Sequence, residues 1–408
     1  MKILVIVHAL PTGGGGGVEA VAWEQASELR RRGHSVRIFV RSSSAEQSLA
    51  EGAWRDAEIE LNSVREVGHE VGAPPSWRSL LHNDSFDAAL DDLLDSFAPD
   101  LVHVQHLVHL SMSLVARVRV RGIPVVVSLH DFFFLCDRLF LLDEQNERCE
   151  GPDEGRRCIE CLSSRCAEGD ATWRYQLGQE VLHEADAVVA PSRSFAQAFL
   201  RASGNPQLPV EVIEPGIDFR PVKRRPRKAG APLRLLYVGA LLPHKGIDLL
   251  VDAVCGIERE GWELVIRGRG EAGSAFESTM RERTAGLPVH WGGPFDAHEA
   301  PAIYRHSDVL VIPSRCIESW SRVAREARAA GCAVVAPLVG GPADFLQDDR
   351  DAILVPPGSA EQLAAGLRLL LDRPALLNRI TAARTEVASV GDAIDRLEVL
   401  FGRILAGR

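Results

Sequence analysis

The sequence predicts an α/β protein built from two doubly wound halves, each a mostly parallel β-sheet covered by helices on both faces. Three observations carry that expectation. Short apolar runs recur along the whole chain and alternate with segments of helical periodicity, the pattern of strands buried on both faces. The alternation stops once, in a Pro- and Arg-rich stretch near the middle, and then restarts. The 408 residues, 46% hydrophobic and 25% charged, are enough for two or three domains with cores of their own.

The first half opens with an apolar run at 3–7, glycines at 13–17, a helical stretch at 18–32 and a second apolar run at 36–40, which is a β-loop-α-β unit. Val18, Ala22, Ala26 and Leu29 recur at helical spacing and mark the buried face. Glu19 near the start and arginines 30–32 at the end suit the helix dipole. Further strands are predicted at 101–104, 124–128, 187–190 and 210–213. The run RPVKRRPRK at 220–228 has the composition of an exposed linker, and its charge could also touch anionic lipid. Strands then follow at 233–238, 263–267, 289–291, 309–313, 333–336 and 353–355, and segments 360–372 and 392–405 read as amphipathic helices. The expected organisation is a domain at 1–219 with a Cys-rich insertion at 136–166, a linker at 220–230, a second domain at 231–390, and a helix at 391–408 that packs back on the first domain. Two such domains place a ligand cleft between the carboxyl ends of their sheets.

Composition excludes several classes of function. A formal net charge of -10 argues against nucleic-acid binding, because a phosphate backbone demands a dominant cationic face. Any anionic ligand must be met by a local site. No run reaches the eighteen or so apolar residues of a membrane span, and the opening run flows into the glycine loop without a cleavage site. We therefore expect a cytoplasmic protein, with the basic linker as the candidate for peripheral contact with the inner face of the membrane.

Of eight cysteines, five fall in one short segment. Cys136, Cys149, Cys158 and Cys161, ending in a CxxC pair, could form a tetrahedral four-thiolate zinc site that staples the insertion. Cys166 stands close behind. Reduced thiols without metal, or a redox role, are the alternatives. Cys255, Cys316 and Cys332 are expected as buried small hydrophobes.

Two segments could meet a phosphorylated ligand. Gly16 and Gly17 lie between the first strand and first helix, where close backbone approach and free helix N–H groups favour phosphate. The spacing is not that of a dinucleotide-binding GxGxxG loop, and Val40-Arg41-Ser42 stands where its acidic partner would be. In the second half, Glu318 follows a strand and Glu326 lies eight residues on, about 12 Å of rise if helical throughout. The two carboxylates are therefore expected to contact different parts of one extended ligand.

The motifs Gly16-Gly17-Val18-Glu19, His103-Val104-Gln105-His106, Ser128-Leu129-His130-Asp131, Ala190-Pro191-Ser192, Pro215-Gly216-Ile217-Asp218 and Tyr237-Val238-Gly239 occur in this order. They are followed by Pro243-His244-Lys245-Gly246, the Glu318/Glu326 pair and Gly340-Gly341-Pro342. In that order the chain resembles, over nearly its whole length, the family 4 retaining glycosyltransferases of GT-B fold, and within them a subgroup with a Cys-containing insertion after the His-Asp motif. The resemblance implies that Glu326 holds the ribose of a nucleotide-sugar donor and Glu318 contacts the transferred sugar. It implies further that Lys245, with backbone N–H groups of Ser319, Trp320 and Ser321, binds the diphosphate. Ala240 stands where the family usually has an arginine, and Arg267 or Arg269 is the candidate replacement.

His130 is expected to face the donor sugar. Of His103 and His106, at most one is expected in the cleft, and residues 291–295 are expected near the base. The implied reaction is front-face displacement with no catalytic metal or other cofactor. Its partners would be a nucleotide-sugar donor and a glycan, lipid-linked or small-molecule acceptor. A nucleotide-sugar epimerase, or a non-catalytic sugar-nucleotide-binding protein, is the competing reading.

Overall fold

The computed structural model describes residues 1–11, 16–42, 49–50, 52–68, 77–220, 230–383 and 385–407. Glycines 13–15 of the predicted phosphate loop and residues 221–229 of the predicted linker lie outside the described residues.

Eight strands form the first sheet: β1 (Lys2–Ile6), β2 (Ser35–Arg41), β3 (Trp54–Ile59), β4 (Asn62–Val67), β5 (Leu101–Val104), β6 (Val125–Ser128), β7 (Ala187–Ala190) and β8 (Val210–Val212). Their order is β3-β4-β2-β1-β5-β6-β7-β8, parallel except for the β3/β4 pair. That antiparallel pair was not expected from the sequence. Its strands read WRDAEI and NSVREV, and Arg65 on β4 reaches Asp56 of β3 at 2.7 Å, so polar cross-strand pairing holds what an apolar run holds elsewhere.

Six strands form the second sheet: β9 (Leu233–Val238), β10 (Trp262–Arg267), β11 (Val289–Gly293), β12 (Val309–Val311), β13 (Ala333–Pro337) and β14 (Ala352–Val355). All pairings are parallel, in the order β11-β10-β9-β12-β13-β14. Successive side chains of a strand point to opposite faces, so each sheet feeds two cores. In β1, Leu4 and Ile6 enter one core and Ile3 and Val5 the other. Strand order reverses beside β1 in the first sheet and beside β9 in the second, and the open crevice at such switch points is where ligands of α/β sheets bind.

The helix Val390–Ala406 leaves the second half and completes the core of the first. Val390, Ile394, Leu397 and Phe401 are spaced to share one helix face, and they pack with Ile3, Val5 and Val36. Arg32 fixes the polar edge by ion pairs to Asp395 at 2.6 Å and Glu398 at 2.7 Å. The halves also touch directly. Ser192 Oγ donates to the Ser319 carbonyl at 2.7 Å, and Ser194 bonds Asp344 through its N–H (2.7 Å) and hydroxyl (2.5 Å). Cys316 and Cys332 are buried as expected, whereas Cys255 is exposed at the end of its helix.

Candidate functional site

Between the halves lies a cavity of about 1200 Å³. On its C-terminal wall, Lys245 ends the short turn Pro243–Lys245. Gly246 follows at φ 69°, and a Cβ there would meet the Pro313 carbonyl oxygen at 2.0 Å, so this turn can lie against the loop after β12 only with glycine. Across that contact, Lys245 Nζ donates to Glu318 Oε1 at 2.9 Å, and Ser314 Oγ donates to the same oxygen at 2.6 Å. Burial alone would neutralise both partners. The opposed charges outweigh it, holding the Glu318 carboxyl below the usual range and the Lys245 ammonium above it. Burial pushes the neighbouring Cys316 thiol up to about 12, so it stays neutral.

The loop from Glu318 to Ser321 is shaped from behind. Gly340 has φ 70°, a Cβ there would lie 2.3 Å from the Glu318 carbonyl oxygen, and the Gly341 N–H donates to that oxygen at 2.8 Å. The Gly340-Gly341-Pro342 motif thus supports the loop. Ser321 sits left-handed at φ 63° before the helix Arg322–Ala329. Its hydroxyl and the Trp320 indole N–H are buried without a hydrogen-bond partner among the described residues. At a helix start, where N–H groups are also free, such orphaned donors suit an incoming anion.

Glu326 lies one turn into that helix. Tyr304 donates to its Oε2 at 2.9 Å and Arg322 Nε to its Oε1 at 2.8 Å. The other guanidinium nitrogens of Arg322 bridge the cleft to both oxygens of Glu24, at 2.8 and 2.9 Å, on the helix Gly17–Arg31. A planar fork meeting a carboxylate in this way is the strong geometry for arginine.

The N-terminal wall is set with imidazoles. His130, just past β6, donates from Nε2 to Gln105 Oε1 at 2.7 Å, and Gln105 in turn donates to Gln25 at 2.9 Å. Burial, with nearby His106, pushes His130 down to about 3, so it is a neutral ring at physiological pH. His106 Nδ1 accepts from the Val108 N–H at 3.1 Å, which assigns its other nitrogen as donor to Asp131 Oδ2 at 3.1 Å. Despite burial, His106 and the Phe133 N–H (2.7 Å) hold Asp131 below its ordinary value. His8 pairs with Glu19 at 3.1 Å, its ring 5.0 Å from that of His106. His106 lines the cavity. His103 does not: it is buried, bonded to Ser128 Oγ at 2.8 Å and pushed by burial to about 4.

Gly16, Gly17, His130, Lys245, Arg269, Glu318, Ser319, Trp320, Ser321 and Glu326 all line this one cavity. Arg267 does not. At the shifted register of β10 against β11, its Nη1 donates to the Gly292 carbonyl at 2.8 Å and its guanidinium lies 5.4 Å from the Phe295 ring. Arg269 is exposed in the cleft. Ala240 also faces the cavity, its carbonyl accepting from the Tyr237 hydroxyl at 2.6 Å. Of the segment expected near the base, Pro294 and Phe295 line the cleft, while Trp291 turns away to Arg281 and Thr284. The separation expected for a continuous helix also fails, because residues 318–321 are loop.

Sequence reasoning missed Arg322, Glu24, Tyr304 and His8. The four-residue spacing of Arg322 and Glu326, an i,i+4 pair on one helix face, was the available signal. The cysteine segment borders the same cleft. Leu139 and Phe140 line it, and the Phe140 ring stacks on His244 at 4.0 Å and 15°.

The fold has close counterparts among solved structures. Sucrose-phosphate synthase from Thermosynechococcus elongatus superposes with a TM-score of 0.71 at 20% identity, covering 100% of this chain and 96% of its own. The Anabaena protein HepE, in complex with UDP, gives 0.70 at 17% identity over 99% of this chain and 100% of its own. The architecture is GT-B. Residues 15–220 match the model of Glycosyltransferase Family 4 and residues 218–387 that of Glycosyl transferases group 1. The chain belongs to glycosyltransferase family 4. A similar curated protein is the D-inositol 3-phosphate glycosyltransferase of Kineococcus radiotolerans, 28% identical over 91% of this chain and 87% of that protein. Another is that of Mycolicibacterium smegmatis, 25% identical over 98% and 90%.

Proposed function

We propose that this protein transfers a sugar, with retention of anomeric configuration and without a catalytic metal, from a nucleoside-diphosphate donor to an acceptor hydroxyl. The observation that carries this reading is the Lys245–Glu318 pair on the cavity wall, beside a helix start whose Ser321 and Trp320 donors lack partners. In the reading, Lys245 and the helix N–H groups take the diphosphate and stabilise the charge that builds on it as the glycosidic bond breaks. Glu318 accepts from hydroxyls of the transferred sugar. Glu326 accepts from the vicinal ribose hydroxyls, as a carboxylate with two oxygens can.

His130, neutral and hydrogen-bonded to Gln105, presents its ring to the sugar from the opposite wall. The departing phosphate oxygen takes the acceptor proton on the face where the new bond forms. Arg269 and Arg322 are the cations available where Ala240 replaces the usual arginine. The acceptor, a glycan, a lipid-linked sugar or a small polyol, enters beside Phe140 and His130.

Among the described residues no helix is long and apolar enough to cross a membrane. We place the reaction in the cytoplasm, with the basic run at 220–228 as the segment for contact with an anionic membrane face, which vesicle co-sedimentation tests. A thermal-shift screen with UDP-, GDP-, ADP- and dTDP-sugars identifies the donor, since a specific ligand raises the melting temperature by mass action. NMR of the product's anomeric proton then reads stereochemistry. Inversion would overturn the retaining assignment, and epimerised donor without transfer would favour the epimerase.

A further inference from the structure

The Cys-rich insertion contains a cluster of thiols that the transfer chemistry does not use. Cys136 follows the aromatic run after His130, Cys149 follows the Leu142/Arg148 bridge, and Cys158 and Cys161 lie three residues apart on the helix Arg156–Cys161. The fold brings all four into one electrostatic neighbourhood: Cys158 interacts with Cys136, Cys149 and Cys161, and Cys161 with Cys136 and Cys149. Cys166 stands apart, its charged neighbours being Asp170, Asp137 and Arg165.

A second observation comes from Arg174, on the helix Glu168–Glu184. Its side chain is 2% exposed, its Nη2 donates to the Phe133 carbonyl, its Nη1 has no hydrogen-bond partner among the described residues, and it interacts electrostatically with Cys136 and Cys158. Its nearest carboxylate contact is Asp137 at 3.4 Å. Arg138 bears in the same way on Cys161. A buried guanidinium without full pairing is costly, and neutral thiols do not balance it.

From this convergence we infer that Cys136, Cys149, Cys158 and Cys161 bind one divalent zinc-type ion as a structural tetrathiolate site. Four thiolates around a divalent cation carry two net negative charges, which the guanidiniums of Arg174 and Arg138 face. On binding, each cysteine gives up its thiol proton to solvent and nothing is oxidised or reduced. In this structure no three of these sulfurs lie within 4.8 Å of one another. Rotation about χ1 relocates each Sγ, and metal–sulfur bonds of about 2.3 Å would draw them together.

The site would clamp the segment that carries Phe140, and so fix the stack of Phe140 on His244, the residue before Lys245. The ion would reach the donor wall through this packing and not through chemistry.

The test uses the full-length protein purified under reducing, metal-replete conditions. Elemental analysis should give one zinc per chain, and titration with a mercurial should release it as thiols react. Cobalt exchange should give the intense visible bands and near-ultraviolet thiolate charge transfer of a tetrahedral tetrathiolate. Cys158→Ser and Cys161→Ser should each lose most of the metal, whereas Cys166→Ser should retain it. Should those variants fail to fold, the cobalt spectrum of the wild type alone decides. Protein without bound zinc, a spectrum without thiolate charge transfer, disulfides among the four cysteines, or equal metal loss in Cys166→Ser would overturn the proposal. Metal content is read without donor or acceptor, so its outcome is independent of the transfer assignment.

Discussion

On the C-terminal wall of the cleft, Lys245 is paired with Glu318, and Arg322 with Glu326 and Glu24. On the N-terminal wall His8, His106 and His130 face the same space beside the carboxylates of Glu19, Glu24 and Asp131, and His130 among them is held neutral by burial. The first arrangement keeps formal charge in place before any ligand arrives, so a diphosphate meets a preorganised cation in a protein whose net charge opposes it. The second sets a neutral imidazole among carboxylates, directional hydrogen-bonding groups that suit hydroxyls. This contrast is the electrostatic ground for the proposed reading, with the donor on the C-terminal half and the acceptor on the N-terminal half.

That contrast can be broken most severely at Lys245. Replacing Lys245 or Glu318 by alanine should lower kcat by about 100-fold or more, because each interaction is asked to act on charge that develops in the transition state. A decrease of only a few-fold in steady-state assays would remove the charged wall from the mechanism. Next in size is Gly340→Ala. At φ 70°, with its Cβ 2.3 Å from the Glu318 carbonyl oxygen, alanine must displace the loop. We expect at least about 1 kcal/mol of lost stability in denaturant titrations together with weaker donor binding.

Arg322→Ala leaves Glu24 and Glu326 without their cation. It should cost about 1–3 kcal/mol of stability and raise the donor KM several-fold. Adding Glu24→Gln should recover part of the stability loss, a coupling that a double-mutant cycle measures.

The opposite wall predicts smaller effects. His130→Asn should slow transfer by about tenfold, and the pH profile of kcat/KM in the wild type should show no inflection belonging to His130 near 6.5, because the folded ring titrates at about 3. An inflection near 6.5 that vanishes in the variant would make His130 a titrating base instead. His103 gives the smallest effect, on stability alone. It titrates at about 4 when folded, so between pH 4 and 6.5 the unfolded chain binds more protons and stability falls as pH drops. Going from pH 6.5 to 5.5 should cost about 1 kcal/mol through this residue, and His103→Gln should make that part of the curve shallower by this share, His130 and His244 keeping theirs.

The parallel sheets and most of the cleft were legible in the sequence because each signal was local. The runs at 3–7 and 233–238 are continuous apolar strands, and Lys245, Glu318 and Glu326 sit in short motifs of fixed order. What escaped notice depends on partners far apart in the chain. Strands β3 and β4 are held by polar pairs that one strand alone does not display. The contact between Glu24 and Arg322 spans 298 residues, and Tyr304 meets Glu326 only after the chain has passed through β12 into the next helix. Arg267 and Arg269 could not be told apart for a related reason: Arg267 lies at the register shift between β10 and β11 with its side chain on Gly292, whereas Arg269 lines the cleft.

The central claim, that the C-terminal wall alone holds the charged part of the donor, is tested most directly by calorimetric titration of the matching nucleoside diphosphate into wild type, Lys245→Ala and His130→Asn. The account predicts at least tenfold weaker binding in Lys245→Ala and an affinity within about twofold of wild type in His130→Asn, a tenfold change being about 1.4 kcal/mol. Unchanged binding in Lys245→Ala, or an equal loss in His130→Asn, would contradict it.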